Sequence, residues 1–162
     1  MQSAYRTGHS TETALIRVHH DITDALDNNS CVILLMFDLS AAFDVIDHDI
    51  LFDRLQYTFG ISGKALSWLC SFLTNTCRSQ CVSIGSIHSD NMVLKYGVPQ
   101  GSVLGPRLIS MFSYPVSEIC KKHGLAYHCY ADDTQIYQVI IPLDNLDDIT
   151  ERLEACLEDI KT

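Results

Sequence analysis

The hydrophobic pattern of this chain switches repeatedly between two periods. Leu15, Val18, Ile22, Ala25 and Leu26 recur at helical spacing behind a Gly8/Ser10 start, and Asp27-Asn28-Asn29-Ser30 supplies a polar stop. Residues 31–37 then form an almost unbroken apolar run of strand length that delivers Asp38 at its end. Helical spacing resumes at Ile46, Ile50, Leu51 and Leu55 and, past Gly60 and Gly63, at Leu66, Leu69, Phe72 and Leu73, which marks these residues as core. Residues 79–84 and 91–96 read as strands flanking a turn at Gly85. Ser102 opens a further helix with Pro106 in its first turns; it runs to Gly124, is kinked midway by Pro115, and carries Lys121, Lys122 and His123 where cations complement the helix dipole. Residues 125–130 and 134–141 read as two strands joined by a tight turn over Ala131-Asp132-Asp133. Leu146, Ile149, Leu153, Cys156, Leu157 and Ile160 trace a last helix. The interleaving predicts an α+β fold: a small antiparallel sheet with helices packed on one face and the acids Asp38, Asp132 and Asp133 on or beside the other, exposed face.

Composition narrows the possibilities. With 162 residues, 47% hydrophobic, and no repeat or low-complexity tract, the chain has the material for one globular domain with a sizeable core. Its net charge of −9, from 11 Lys and Arg against 20 Asp and Glu, excludes a broad grip on a polyanion by counterion release. Any contact with nucleic acid has to be local or rely on parts beyond this chain. Beyond the acidic clusters described below, the acidity lies largely in helices such as LDNLDDITERLEACLEDI, where it reads as a solvated face. Cys31, Cys70, Cys77, Cys81, Cys120, Cys129 and Cys156 contain no CxxC pair, which speaks against a zinc site and predicts a reducing compartment. The run at residues 31–37 is too short to cross a bilayer and no leader precedes it, so the expectation is a soluble intracellular protein of nucleus or cytoplasm with no membrane partner.

Two acidic clusters carry the candidate chemistry. FDLSAAFD surrounds Asp38, and YADD ends in Asp132 and Asp133, each beside a strand-like run, with GVPQGSVLGP between them. An acid pair in a hairpin is ordinarily only a turn feature. Asp38, however, ends an apolar strand, where a carboxylate brought near other acids is strongly disfavoured unless cations neutralise it. Carboxylates from separate segments are what a two-metal site needs, because two divalent ions about 4 Å apart must be held in one cleft. In GVPQGSVLGP, Gly97 and Gly101 let backbone approach a ligand closely and Pro99 stiffens the turn.

Together, FDLSAAFDVIDHDIL, GVPQGSVLGP and YADD resemble the palm motifs of reverse transcriptases, more narrowly those of non-LTR (LINE-type) retrotransposons, and QSAYRTGHSTETAL ahead of them resembles the segment that leads from fingers into palm. The resemblance covers essentially the whole chain. It implies the end of the fingers plus the palm core of an RNA-directed DNA polymerase, with upstream fingers, later palm motifs, thumb and endonuclease lying outside residues 1–162. It implies two Mg²⁺ ions, with Mn²⁺ able to substitute, held by Asp38, Asp132 and Asp133 together with the Leu39 carbonyl. Leu39, Phe43, Gln100, Gly101 and Ala131 are the implied nucleotide contacts, with the Phe43 ring closing the sugar pocket against a 2′-hydroxyl. Tyr130, Ser102 and Arg6 are the implied primer or template contacts, with His9 near the template backbone. The implied partners are an RNA template, a DNA primer, a dNTP and the missing fingers and thumb segments.

Asp44, Asp47, Asp49 and Asp53 follow Asp38 closely and read as a solvated helix face. Arg107 stands where the family usually has an aliphatic residue; buried there without a partner it would destabilise the fold by roughly several kcal/mol. An acidic palm without fingers and thumb is expected to hold primer–template weakly and to polymerise little or not at all. The alternative is a catalytically inert remnant serving at most as a binding module, and metal-dependent deoxynucleotide binding separates the two. A nucleotide cyclase or an RNA-templated RNA polymerase would share the carboxylates, but Phe43 and GVPQGS argue against both.

Overall fold

The structure is a computed structural model in which residues 2–38, 41–74 and 79–161 are described. In chain order the elements are α1 (Thr11–Asp27), β1 (Cys31–Phe37), α2 (His48–Asp53) running into a π-helical turn at Arg54–Thr58, α3 (Gly63–Thr74), β2 (Ser79–Gln80), β3 (Ser83–Ile84), β4 (Ile87–His88), β5 (Met92–Val93), α4 (Gly105–Phe112), α5 (Tyr114–Lys122), β6 (Ala126–Tyr130), β7 (Asp133–Ile140) and α6 (Leu146–Lys161). They gather into two compact units, one of Met1–Ser40 with Ser113–Thr162 and one of Ala41–Phe112.

The first unit is built on an antiparallel sheet in the order β1-β7-β6. Strand alternation puts Ile33, Leu35, Tyr127, Ile136 and Ile140 on one face, where they pack with Val116, Ile119 and Cys120 of α5 and Ile149, Leu153, Cys156 and Ile160 of α6. The small antiparallel sheet with helices on a face is as expected, but the opposite face, expected to be exposed, is partly covered by α1. The opposite face carries Tyr137, whose hydroxyl donates to Asp21 of α1 at 2.5 Å, and His128, which shares a 2.9 Å hydrogen bond with Ser3. On that face Met36 is 77% exposed, so β1 remains open toward its Asp38 end.

Local chemistry sets the helix ends. Ser10 and Thr13 form a capping box that starts α1, and Asn29 at φ +54 turns the chain out of it, with Ser30 N–H closing on Ala25 C=O at 2.9 Å. The buried stripe of α1 is Ala14, Val18 and Ala25, while Leu15 and Leu26, expected on the core face, are exposed. Small side chains let α1 lie close to the sheet, which rotates the larger ones outward.

The second unit has its own core of Ile46, Leu51, Leu55, Leu73, Val98, Leu108 and Ile109. Asp47 starts α2 by accepting from the N–H groups of Asp49 and Ile50, so it is a cap and not simply part of a solvated face. Instead of two long strands, residues 79–93 form two short ladders, β2 with β5 and β3 with β4, the latter closed through Gly85 at φ +61. The helix expected from Ser102 to Gly124 is two helices separated at Ser113. Pro115 falls in the first turn of α5, where its missing N–H is harmless, and so begins a helix instead of kinking one. Arg107 is exposed and carries no burial cost, which corrects the expectation of an unpaired guanidinium in the core. Cys77 lies outside the described residues.

Candidate functional site

The hairpin of β6 and β7 pairs Tyr130 with Asp133, leaving Ala131 and Asp132 as a two-residue turn. Asp133 is therefore the first residue of β7 and not part of the turn as its spacing suggested. Ala131 sits at φ +57, a left-handed conformation that costs a non-glycine residue about 1–3 kcal/mol and is retained where surroundings over-determine it. On the other side of β7, Phe37 pairs with Thr134, so the next residue, Asp38, continues that register across from Asp133. The three acids foreseen from the motifs thus share one end of the sheet, Asp38 and Asp133 exposed and Asp132 half-buried.

A short stretch ahead of α1 surrounds this turn. Gln2 bridges in parallel to Cys129 beside β6, and Ser3 N–H donates to Cys129 C=O at 2.9 Å. The Gln2 carboxamide accepts from Ala131 N–H and donates to Ala131 C=O, both at 3.0 Å. Tyr5, itself at φ +59, lies near enough to the acids that, after burial, the charges of Asp132 and Tyr130 hold its phenol above the usual tyrosine range. Neither Gln2 nor Tyr5 was expected at the site. Arg6, expected on the template, donates to the Gln2 carbonyl at 3.2 Å.

The donor set suits a hard divalent cation, since carboxylate oxygens are the ligands Mg²⁺ and Mn²⁺ take, and no ion pair among the described residues engages Asp38, Asp132 or Asp133. Among the described residues no three acidic, His or Cys side chains close a coordination shell, so ligands other than these side chains would have to complete one. Leu39, the expected backbone ligand, lies outside the described residues.

The second unit presents a cleft of about 680 Å³ lined by Phe43, Asp44, Gln80, Tyr96, Pro99 and Gln100 among others. Two backbone bonds build it: Val98 N–H to Phe43 C=O at 2.7 Å and Gly97 N–H to Ile46 C=O at 2.8 Å. They bring Phe43 beside the Gly97–Gln100 turn. Gly97, at φ +80, has no room for a side chain, because a Cβ would lie 2.4 Å from the Phe43 carbonyl oxygen. Ser102 donates to Pro99 C=O at 2.7 Å and accepts from Gly105 N–H at 3.0 Å, so its hydroxyl caps the start of α4 rather than opening the helix itself. Gly101 is exposed at φ +79. Phe43 sits in a turn ahead of α2.

Comparison with known proteins bears on both units. The profile of the family described as reverse transcriptase (RNA-dependent DNA polymerase) matches residues 1–162. The chain is 34% identical over 112 residues to the probable RNA-directed DNA polymerase from transposon BS of Drosophila melanogaster, covering 69% of this chain and 12% of that one. It is 32% identical over 141 residues to the RNA-directed DNA polymerase from mobile element jockey of the same organism, covering 83% of this chain and 15% of that protein. The chain therefore spans only a small part of the relatives it matches. Among solved structures, a partial Cas6-RT-Cas1--Cas2 complex aligns over 97% of this chain and 25% of its own at 22% identity and a TM-score of 0.39. No helix among the described residues is long and apolar enough to cross a membrane.

Proposed function

Because this chain belongs to the reverse transcriptase family, a family dependent on divalent metal, we propose that it forms the palm of an RNA-directed DNA polymerase of a LINE-type mobile element. The reaction would join a dNTP to a DNA primer 3′-hydroxyl on an RNA template, inside the cell. The observation that carries the reading is the register that gathers Asp38, Asp132 and Asp133 at one sheet end in a chain of this family.

Asp38, Asp132 and Asp133, with the Leu39 carbonyl, are the groups that would hold Mg²⁺, or Mn²⁺ in its place. Bound divalent ions offset the negative charge that develops on the transferring phosphoryl group and on the attacking and leaving oxygens. The chain's own share is positional. Phe43 is the ring that would block a ribose 2′-hydroxyl, and Gln100 and Gly101 the turn that would contact the nucleotide. Ala131 leaves room near the sugar, Tyr130 borders the primer end, and Ser102 stiffens the Pro99–Gly101 turn. Arg6 contributes to the template side. A net charge of −9 opposes the clamping of a duplex, so the full-length protein would supply that grip and this chain alone would polymerise weakly or not at all.

The test is equilibrium binding of a dNTP and the matching rNTP to the chain, with and without Mg²⁺, repeated on Asp132→Asn. The reading expects metal-dependent binding that favours the dNTP and is weakened in the variant. Binding indifferent to metal and to Asp132 would support the inert-remnant reading, and a preference for the ribonucleotide would point to RNA-templated RNA synthesis.

A further inference from the structure

We infer that Gln2 is a positioning residue for the acid-bearing hairpin: its carboxamide holds both peptide groups of Ala131 and so sets where Asp132 presents its carboxylate. The inference rests on the metal-binding reading above. A two-residue turn leaves the N–H and C=O of its first residue without a ladder partner within the hairpin. Gln2 supplies both, Oε1 accepting from Ala131 N–H and Nε2 donating to Ala131 C=O, each at 3.0 Å.

Peptide planarity turns those bonds into control of a side chain. Ala131 C=O and Asp132 N–H belong to one rigid plane, and Ala131 N–H and Tyr130 C=O to another. Fixing both planes fixes the dihedrals of Ala131 at its left-handed φ of +57, and with them the direction in which Asp132 leaves the turn. The clamp is itself anchored. Oε1 also accepts from Ala4 N–H at 3.0 Å, Ser3 N–H bonds Cys129 C=O at 2.9 Å, and Ser3 Oγ meets His128 Nε2 at 2.9 Å in a buried pair. A carboxamide offers both a donor and an acceptor at the end of its side chain, which an ionised carboxylate of the same length does not. Glutamate would set a carboxylate oxygen against the Ala131 carbonyl and add negative charge beside the three acids.

The experiment uses the full chain with Gln2→Ala, Gln2→Met and Asp132→Asn, reading Ala131 amide hydrogen exchange by NMR and Mn²⁺ affinity by electron paramagnetic resonance. Expected are an Ala131 amide protected in the parent and at least about tenfold faster to exchange in the Gln2 variants, with Mn²⁺ bound roughly 10–100-fold more weakly, as for loss of an outer-shell partner. Unchanged Ala131 exchange overturns the inference whatever the metal does. Faster exchange with parental Mn²⁺ affinity, where Asp132→Asn weakens it, reduces Gln2 to a structural role and overturns positioning. If Asp132→Asn also binds Mn²⁺ like the parent, the metal reading itself fails and takes the positioning role with it. Should Gln2→Ala not fold, Gln2→Met, which is close in size and carries no donor and no charge, carries the same comparison.

Discussion

Gln2 and Ala131 exchange two hydrogen bonds through a single carboxamide, across 129 positions of sequence. The bonded residue is the one non-glycine of the turn held at positive φ, so local strain and long-range restraint meet at one position. Replacing Ala131 by Gly removes the steric strain but adds freedom to the unfolded chain, and stability should change by less than about 1 kcal/mol. Ala131→Val, β-branched at φ +57, should lose about 1–3 kcal/mol in urea denaturation.

Gly97 and Gly101 have nearly the same φ, +80 and +79, yet differ in surroundings. A Cβ at Gly97 would strike the Phe43 backbone, whereas at Gly101 it meets nothing within 4 Å. Gly101→Ala should cost about 1 kcal/mol from the backbone alone, and Gly97→Ala clearly more, because the Phe43 turn must move. Thermal melts of the two variants side by side check the order.

Within the Phe43 cleft, the proposed sugar-pocket role makes a selective prediction. Phe43→Ala should raise rNTP binding relative to dNTP by roughly tenfold while leaving the second unit folded, since Phe43 is only half-buried. Competition binding between the two nucleotides measures the ratio.

Tyr137 donates to the Asp21 carboxylate, and burial first, then that bond, pushes its phenol up to about 12. Tyr137→Phe removes this bond from a carboxylate that Arg17 still pairs at 3.4 Å, and should destabilise the chain by about 1 kcal/mol. Chemical denaturation would detect this, with a smaller loss expected when Tyr137→Phe is made in an Asp21→Asn background.

Burial above all, with nearby positive charge such as that of Arg17, holds His128 below the usual histidine range. The unfolded chain then takes up a proton near the ordinary value of about 6.5 while the folded chain resists it, so the unfolded state binds more protons in that window. Stability present above about pH 6.5 should fall as the pH drops through that value. The Ser3–His128 bond links this loss to the segment carrying Gln2. Urea midpoints at pH 7.5 and 5.5 should differ in the parent and differ less in His128→Gln.

Elements with a strong local signature were legible in the sequence. The apolar run at Cys31–Phe37 and the stripe of Ile149, Leu153 and Cys156 formed the strand and helix their periods implied. Residues 79–93 did not keep their expected strands, because Val82, Ile84, Ile87, Met92 and Val93 are exposed with no core to pack against, and β-propensity needs a surface to fit. The Gln2 clamp left no trace in any window, since no period joins residues 129 apart. The acids were legible as motifs, but that Asp133 begins a strand while Asp132 occupies the turn emerged only from the register.

The central claim is that Asp38, Asp132 and Asp133 form a divalent-metal site, and Mn²⁺ titration followed by electron paramagnetic resonance tests it most directly. The account predicts saturable binding of Mn²⁺, competed by Mg²⁺, rising toward two ions when a dNTP supplies its phosphates, and sharply weakened by Asp132→Asn. Mn²⁺ binding that is equal in the parent and Asp132→Asn, with or without nucleotide, would contradict it.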